Sequence, residues 1–332
     1  MSSIVIEIVL FIVGLLCLVK GGDWFVDGSC GIAHRFNMPE ILIGATVVSI
    51  GTTIPEVMVS ATAALTSGAS DMAYGNAIGS IICNTALIAA ITMAVRPAPV
   101  ERGALKVPML FFFVSAVFYA VVAYSTGFFA RPVGIILLVI FAIYMVLSVK
   151  QATSSEPAAK SEEKATEESA NPGSFKESIA YEVILLVLGA AVIAVGARLL
   201  VNNGTLLAEA AGIPKSVIAL TFVALGTSLP ELVTAITALV KGHSDLSLGN
   251  VIGANLFNLV LVSGLSVTLA PFRVPVEKTI AGMNASLVVD VPFMFVVMLI
   301  MCVPSMLKGK LYRAQGITLL ALYAGYIIFQ FV

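Results

Sequence analysis

Two glutamates stand in long apolar segments of the chain, each directly after a proline. Glu56 ends the segment T-V-V-S-I-G-T-T-I-P-E at 46–56, and Glu231 ends T-F-V-A-L-G-T-S-L-P-E at 221–231. An ionised residue at the centre of a membrane helix costs about 2.5–3.5 kcal/mol on insertion scales, so two cost roughly 5–7 kcal/mol. Carboxylates kept at such a cost indicate a site that binds a cation.

Hydroxyl and amide side chains are spaced so that they share helix faces with these glutamates. Thr52 precedes Glu56 by four residues, and Thr227 precedes Glu231 by four, a spacing that places both members of each pair on one helix face. The following segments read G-N-A-I-G-S-I-I-C-N at 75–84 and G-N-V-I-G-A-N-L-F-N at 249–258. In each segment, residues spaced four apart form a stripe along one helix face. These residues are Asn76, Ser80 and Asn84 in the first copy, and Asn250, Ala254 and Asn258 in the second.

These patterns favour a hard cation. Apart from Ala254, each of these paired and stripe residues has a side-chain oxygen, the ligand atom preferred by Na⁺, Ca²⁺ and Mg²⁺. No His or Cys is placed to converge with them. Pro55 and Pro230 lack the N–H that would pair with the carbonyl four residues earlier, so we predict a helix break at each proline. The two carboxylates together carry the charge that balances one divalent ion.

The composition is that of an integral membrane protein. Of the 332 residues, 59% are hydrophobic and 11% are charged, whereas soluble domains have about 25% charged residues. Apolar runs of about 20 residues recur, as spanning helices require, which predicts an all-α membrane protein. The run from Ile4 to about Val19 has no basic start or cleavage site, so we expect a retained first helix. The net charge of −1, without a basic block, gives no indication of nucleic-acid binding.

The chain consists of two similar halves. A shift of 175 residues superposes Gly51 and Thr52 on Gly226 and Thr227, and the polar stretch 150–178 lies between the halves. We predict a first repeat at 1–149, a linker at 150–178 and a second repeat at 179–332. Five helices per repeat require inverted topologies, an architecture of secondary transporters. About ten spans are predicted, near 4–30, 40–66, 73–95, 105–125, 131–149, 179–207, 215–240, 247–270, 281–304 and 313–331.

The distribution of lysine and arginine predicts the orientation. With the N-terminus outside, twelve basic residues in or near loops fall on the inner side and four on the outer side. Because cytoplasmic loops carry an excess of Lys and Arg, we predict a cytoplasmic linker with both termini outside. The inner set is Arg35, Arg96, Arg102, Lys106, Lys150, Lys160, Lys164, Lys176, Lys241, Lys308, Lys310 and Arg313, and the outer set is Arg131, Lys215, Arg273 and Lys278.

The duplicated motifs, G-T-[ST]-x-P-E followed by G-N-x-[IV]-G-[SA]-x-x-x-N, resemble the two α-repeats of sodium/calcium exchangers, members of the cation/calcium antiporter superfamily, and in particular the prokaryotic type. The resemblance covers essentially the whole chain. It implies ten helices in inverted repeats and the exchange of sodium ions for calcium by alternating access, without ATP. It also implies residence in the prokaryotic inner membrane.

The resemblance further implies a set of ligands. Glu56 and Glu231 are expected to be shared by calcium and sodium, with carbonyls of Ser49 and Ala224 at flanking sodium sites. The other implied ligands are Thr52, Thr53, Ser80, Asn84, Thr227, Ser228 and Asn258. Ala254 departs from the serine expected opposite Ser80, which predicts unequal sodium sites. Asn84 and Asn258 stand where some members have an aspartate associated with potassium transport, which favours potassium independence.

Sliding of the first and sixth helices is also implied. Small residues allow close contact between membrane helices, and those available are Gly14, Gly21, Gly22, Gly28, Gly189 and Gly196. Ordinary helix packing explains the same glycines equally well. The four cysteines are expected to be small apolar residues, and His34 and His243 solvated loop residues.

Three other functions fit parts of the pattern. A proton/calcium antiporter of the same fold is the nearest, since buried glutamates can carry protons. A passive cation channel would call for a ring of ligands. An intramembrane hydrolase would need a motif such as H-E-x-x-H or G-x-S-x-G, which the chain lacks. We therefore expect a transporter, not an enzyme, with Ca²⁺ and Na⁺ as substrates, the bilayer as surroundings, no cofactor and a monomeric state.

Overall fold

In a computed structural model, residues 2–65, 70–154, 179–212, 226–276, 279–280 and 282–331 are described. Within these ranges the chain forms ten helices, so the predicted all-α class is confirmed. The helices are α1 (Ser2–Arg35), α2 (Glu40–Leu65), α3 (Ser70–Cys83, continued by Asn84–Ala89 and Ala90–Val95), α4 (Arg102–Thr126), α5 (Arg131–Ser154), α6 (Ile179–Ala210), α7 (Leu229–Lys241), α8 (Ser244–Leu269), α9 (Ser286–Lys308) and α10 (Arg313–Phe331).

Some helix boundaries differ from the prediction. Helix α1 continues to Arg35, beyond the expected end near residue 30. Helix α9 begins at Ser286, five residues later than expected, because a short hairpin precedes it. The first part of the predicted seventh span, at 215–225, lies outside the described residues. The four strands, two residues each, are β1 (Phe128–Phe129), β2 (Phe272–Arg273), β3 (Thr279–Ile280) and β4 (Met283–Asn284), pairing β1 with β2 and β3 with β4.

The helices divide into a buried central group and a more exposed peripheral set. Eight of those in the described ranges have an apolar stretch long enough to cross a membrane. In these stretches 83% of the residues of α8, 72% of α3 and 61% of α2 are buried, against 17% in α1, 22% in α5 and 22% in α6. The helices α2, α3 and α8, which carry most of the predicted ligands, are therefore enclosed by protein and form the central group, whereas α1, α5 and α6 present most of their surface outward.

Reciprocal contacts between glycines relate α1 to α6. A Cβ atom added to Gly14 would lie 2.9 Å from the carbonyl oxygen of Gly196, and one added to Gly196 would lie 2.8 Å from the carbonyl oxygen of Gly14. Similarly, a Cβ atom at Gly21 would lie 3.0 Å from the carbonyl oxygen of Gly189. Gly14 and Gly21 correspond by the 175-residue shift to Gly189 and Gly196. The two helices thus pack antiparallel with equivalent residues exchanged, as inverted repeats require.

The other two glycines of α1 in the predicted set, Gly28 and Gly22, pack against different helices. Gly28 also packs against α6, since an added Cβ would lie 2.6 Å from the carbonyl oxygen of Glu182. Gly22 instead faces α7, with Thr237 Oγ1 2.8 Å and Val233 Cγ1 2.9 Å from the added atom. Gly22 therefore does not contribute to the α1–α6 contact. As a direct neighbour of Gly21, it points to a different side of the helix.

Each repeat contains a π-helical turn at the same place. In α3 the turn spans Asn84–Ala89, and in α8 it spans Asn258–Val262. A further π turn in α2, at Gly44–Val48, lies just before the first glutamate motif. The hydroxyl of Tyr144 on α5 donates a 2.7 Å hydrogen bond to the carbonyl of Ala45 in this turn. Such turns are frequent at functional sites, and here two of them begin at predicted ligands.

Polar contacts collect where α5 ends and α6 begins, which we call the linker end of the bundle. Arg35 at the end of α1 forms a two-pronged ion pair with Glu182 of α6, with both N–O distances 2.9 Å. Lys241 at the end of α7 lies 2.7 Å from Asp27 of α1. Arg96, after α3, donates to the carbonyl of Leu239 near the end of α7. Basic residues predicted for one side of the membrane thus occupy one end of the fold.

Candidate cation-binding site

Glu56 and Glu231 are both fully buried, with 0% of each residue exposed. No described residue donates a well-formed hydrogen bond to any of their four carboxylate oxygens. Both carboxylates are close enough for direct electrostatic repulsion between them. Lys20 of α1 and Arg198 of α6, two basic residues inside apolar helices that could have paired with these carboxylates, are exposed. Buried charge without a partner is strongly unfavourable, so this pair of side chains is suited to neutralisation by a bound cation.

The other predicted ligands in the described ranges are also enclosed. Asn84 and Asn258 have no exposure, and neither side-chain oxygen nor nitrogen of either amide has a hydrogen-bond partner there. The hydroxyls of Thr53 and Ser228 are likewise buried without a partner. The buried predicted ligands are Ser49, Thr52, Thr53, Glu56, Ser80, Asn84, Ser228, Glu231 and Asn258. Thr227 is half-buried, and Ala224 lies outside the described residues.

Two threonine–asparagine pairs cross between the repeats. Thr52 of α2 donates to the side-chain oxygen of Asn250 of α8, at 3.2 Å. Thr227, just before α7, donates to the side-chain oxygen of Asn76 of α3, at 3.3 Å. The two pairs are equivalent, with the repeats exchanged. Because each hydroxyl uses its proton on an amide, its oxygen keeps lone pairs for a cation.

Ser49 fastens the π turn of α2 to α8. Its hydroxyl lies 2.7 Å from the carbonyl oxygen of Gly44 and 3.0 Å from that of Asn250. This close approach needs a glycine on α8, because a Cβ atom at Gly253 would lie 2.6 Å from both the Cα and the carbonyl oxygen of Ala45. The hydroxyl of Ser49 therefore joins the backbone of α2 to that of α8.

The two prolines have different structural effects. Pro55 lies inside a continuous helical segment, Ser49–Leu65, so the predicted break at this proline is wrong. The irregularity lies one turn earlier, in the π turn that ends at Val48. Pro230 is in the first turn of α7, where a proline costs the helix no hydrogen bond, and Gly226 to Ser228 form turns before it. The second motif therefore starts a helix, whereas the first continues one.

Several residues near the carboxylates were not among the predicted ligands. Asn76 and Asn250 were recognised only as members of polar stripes. The hydroxyl of Thr234, one helical turn after Glu231, is buried without a partner in the described residues. Cys83 lies beside Ser228 and near both glutamates, although its type predicted only apolar packing. The spacing of Thr234 from Glu231 was a usable signal, while the location of Cys83 depends on how α3 and α7 pack.

Phe25 of α1 covers the motif of α2. A Cβ atom at Gly51 would lie 2.9 Å from the Phe25 ring, which is almost completely buried. Next to it is a cavity of about 10 Å³, which is just enough for one water molecule. Residues of α1, α6 and both motifs thus enclose a space beside Thr52. The cavity is lined by Phe25, Gly51, Thr52, Pro55, Ala190, Ile193, Ala194 and Pro230.

Comparison with known proteins gives one consistent result. The sequence matches the family described as sodium/calcium exchanger protein over residues 6–150 and 181–332. The chain belongs to the sodium/calcium exchanger family. It is 31% identical to the sodium/calcium exchanger MaX1 of Methanosarcina acetivorans over 99% of both chains, and 38% identical to the inner membrane protein YrbG of Escherichia coli over 79% of both.

The structural comparison agrees with this family assignment. A structure of the sodium-calcium exchanger NCX_Mj superposes with a TM-score of 0.80 at 32% identity, over 98% of this chain and 99% of the other. The two-repeat, all-helical architecture is therefore that of the sodium/calcium exchanger family. The duplicated motifs predicted a prokaryotic-type member of the family, and this prediction is confirmed. The predicted class of membrane protein, a cation/calcium antiporter, is confirmed as well.

Asn250 provides a test of the crossed hydrogen bonds. Replacement by alanine removes the acceptor of the Thr52 hydroxyl, so we expect calcium affinity to fall about 10–100-fold, as it does when groups that orient metal ligands are lost. Asn76→Ala removes the equivalent acceptor and is expected to act in the same direction. Equilibrium binding of radiolabelled calcium to purified protein measures both changes.

The control for these variants is Asn255→Ala. Asn255 is also buried on α8 but donates to Thr85, at 2.7 Å, and not to a residue of the candidate site. Calcium affinity in this variant should stay within about threefold of the parent protein. An Asn250→Ala protein that binds calcium as tightly as the parent would show that the crossed pairs do not organise the ligands.

Proposed function

We propose that this exchanger moves calcium across the membrane against sodium, with Glu56 and Glu231 as ligands common to both ions. The observation that carries the proposal is the pair of buried carboxylates whose oxygens have no hydrogen-bond partner among the described residues. Calcium takes six to eight oxygen ligands. Four carboxylate oxygens, the amide oxygens of Asn84 and Asn258 and nearby hydroxyls offer such a number.

Competition for shared carboxylates makes the exchange obligatory. One calcium ion neutralises both charges, and sodium ions can do the same. Calcium and sodium cannot, however, occupy the same carboxylate oxygens at the same time. An empty site leaves two unpaired buried charges, which opposes closure around it. Only a loaded site therefore permits the change between inward and outward access. No ATP or other cofactor is needed, because the gradient of one ion supplies the free energy for the other.

Movement of α1 and α6 as a pair is the proposed route of alternating access. The two helices pack through glycines along their length and are joined at the linker end by the Arg35–Glu182 ion pair. Most of their surface faces outward, whereas the helices with the ligands are enclosed. The pair can thus slide over a fixed core, and displacement of Phe25 from Gly51 would open the space beside Thr52.

Ala254→Ser tests the expected inequality of the two copies. Ala254 is fully buried between Asn250 and Asn258 and corresponds to Ser80. The added hydroxyl supplies an oxygen to the second copy, so we expect sodium to compete with calcium at concentrations about 3–10-fold lower, as one added hydrogen-bonding or coordinating oxygen contributes about 1 kcal/mol. Ala116→Ser is a matched control, a fully buried alanine on α4 that lies outside both motifs. Equal sodium competition in Ala254→Ser and the parent would contradict the assignment.

Equilibrium competition is the direct test of shared ligands. Bound radiolabelled calcium is measured on purified protein as sodium chloride replaces choline chloride at constant ionic strength. Sodium should displace all bound calcium, while potassium at the same concentrations should not, as Asn84 and Asn258 predict. Calcium binding that is indifferent to sodium but lost on mild acidification would favour the proton/calcium antiporter instead.

The orientation and location follow the charge distribution. We propose that the linker end, with its basic residues, faces the cytoplasm of a prokaryotic cell and that both termini face outward in the inner membrane. Cysteine labelling with a membrane-impermeant reagent tests this in intact cells. A Ser2→Cys variant in the cysteine-free background should react without permeabilisation, whereas a cysteine at Ala158 in the linker should react only after it.

A further inference from the structure

Three side chains of types that bind transition metals meet at the linker end, outside the cation-binding site. They are Cys30 of α1, Glu40 at the start of α2 and His243 between α7 and α8. One ligand atom of each, the thiol sulfur, a carboxylate oxygen and a ring nitrogen, lie within 4.8 Å of one another. We propose that these three residues bind a borderline-soft divalent cation of the Zn²⁺ class.

The ligand set and its dimensions fit zinc. Zinc takes Cys, His and carboxylate ligands in a tetrahedron, with bonds of about 2.3 Å to sulfur and 2.0–2.2 Å to nitrogen and oxygen, which places ligand atoms about 3.3–3.6 Å apart. His243 Nδ1 and Glu40 Oε1 now lie 2.8 Å apart in a hydrogen bond. If the distance between these two atoms increases by about half an ångström, it reaches the spacing of two ligand atoms around zinc. Three protein ligands leave a fourth position for water, as in zinc sites of the open type.

The same chemistry separates this site from the transport site. Sodium and calcium are bound by oxygen, whereas a thiol and an imidazole select softer metals. The predicted ligands of the transported ions include neither group. A metal of the zinc class is therefore expected to prefer Cys30, Glu40 and His243, and calcium to prefer Glu56 and Glu231.

The surrounding charges favour a cation. Asp27, one turn before Cys30 on α1, is close to both Cys30 and His243, and Asp245 is close to Glu40. Lys241 also lies nearby, but its ammonium group is paired with Asp27 at 2.7 Å and with Asp23 at 3.5 Å. In the immediate surroundings of the three ligands, the carboxylates thus outnumber this lysine. All three proposed ligands are half-buried, so an ion from solution can reach them.

The origin of the ligands gives the site a consequence for transport. Cys30 belongs to the peripheral helix α1, whereas Glu40 and His243 belong to the central group of helices. A metal bound by all three fastens α1 to the core. If α1 and α6 slide during exchange, occupancy by zinc must stop the exchange. This consequence rests on the proposed function, but the binding of the metal does not.

Cobalt is the spectroscopic probe for the binding. Co²⁺ bound by a thiolate gives a sulfur-to-metal charge-transfer absorption, which oxygen ligands alone cannot produce. The purified full chain titrated with Co²⁺ should show this band, Zn²⁺ should abolish it by displacement, and Cys30→Ser should lack it. His243→Gln retains the thiol and should need at least tenfold more Co²⁺ for the same absorbance, a loss expected on removal of a metal ligand.

Matched variants locate the probe. Cys17→Ser changes a half-buried cysteine on the same helix and should leave the band unchanged. Cys83→Ser and Glu56→Gln change the surroundings of the transport site and should leave it unchanged too. Absence of the band in the parent protein, its persistence in Cys30→Ser or its loss in Cys17→Ser would each overturn the proposed metal site.

A transport assay tests the consequence separately. At a Zn²⁺ concentration that displaces cobalt, calcium flux in proteoliposomes of the parent protein should fall at least tenfold, and flux in Cys30→Ser should not. Equal inhibition of the two proteins would place the inhibitory zinc elsewhere and overturn the link to α1. Cobalt binding with no inhibition of either protein would overturn the link to α1 as well, while the metal site itself would stand.

Discussion

Glu56→Gln is expected to abolish calcium uptake, and Glu231→Gln to do the same. Each substitution keeps the size of the side chain but removes one of two buried negative charges, along with a ligand oxygen. Removal of one partner of a buried ion pair, here a carboxylate paired with the bound calcium ion, costs about 3–5 kcal/mol, which corresponds to a loss of calcium affinity of at least 100-fold. Uptake of radiolabelled calcium into proteoliposomes under a sodium gradient measures the effect.

The glutamine variants should nevertheless fold. Neither carboxylate has a hydrogen-bond partner in the described residues, so neutralisation removes repulsion between the two and breaks no described contact. We therefore expect the thermal unfolding temperature of both variants without calcium to equal or exceed that of the parent. Glu209→Gln, a change at an exposed position of α6, is the control and should transport normally. Transport at the parental rate by Glu56→Gln would remove the proposed site.

Gly253→Ala is expected to destabilise the core strongly for so small a substitution. The new Cβ atom would lie 2.6 Å from the Cα and carbonyl oxygen of Ala45 and would also contact the hydroxyl of Ser49. Two of these neighbours are backbone atoms, so α2 must move away from α8, and the Ser49–Asn250 contact must lengthen. Overpacking of this kind costs about 1–3 kcal/mol, which in a chain of this length lowers the unfolding temperature by roughly 1–4 °C.

Calcium binding should weaken in the same variant, because Ser49 and Thr52 both depend on the position of α2 relative to Asn250. The control is Gly325→Ala on α10, where no described atom lies within 4 Å of the added Cβ. Removal of a glycine from a helix is stabilising by up to about 1 kcal/mol, so this variant should unfold no earlier than the parent. Unfolding in detergent with and without calcium measures both effects. An unchanged unfolding temperature for Gly253→Ala would contradict the described contact.

The sequence was most informative where one physical cost dominates. A carboxylate in an apolar segment has few explanations, so the burial of Glu56 and Glu231 and the presence of polar residues around them were predictable. An odd number of helices in each copy requires inversion, which the reciprocal contacts of Gly14 with Gly196 and Gly21 with Gly189 show directly. These predictions depend on residue type and on counting, not on the details of packing.

The features that could not be predicted from the sequence depend on how the helices pack against one another. Pro55 removes a hydrogen bond from α2, but the helix continues through it, with the irregularity in the π turn before Ser49, where Gly253 of α8 allows a close approach. The pairing of Asn250 with Thr52 joins residues 198 positions apart. Cys30, Glu40 and His243 follow no spacing motif, and only the packed helix ends bring them together.

Calcium flux under defined gradients tests the central claim most directly. Proteoliposomes loaded with sodium are diluted into sodium-free buffer with radiolabelled calcium, and a second set carries a pH gradient with no sodium on either side. The two-carboxylate exchange mechanism predicts calcium accumulation at least tenfold above that of protein-free liposomes in the first set, none in the second and none in Glu56→Gln. Accumulation driven by the pH gradient alone and indifferent to sodium would contradict sodium/calcium exchange.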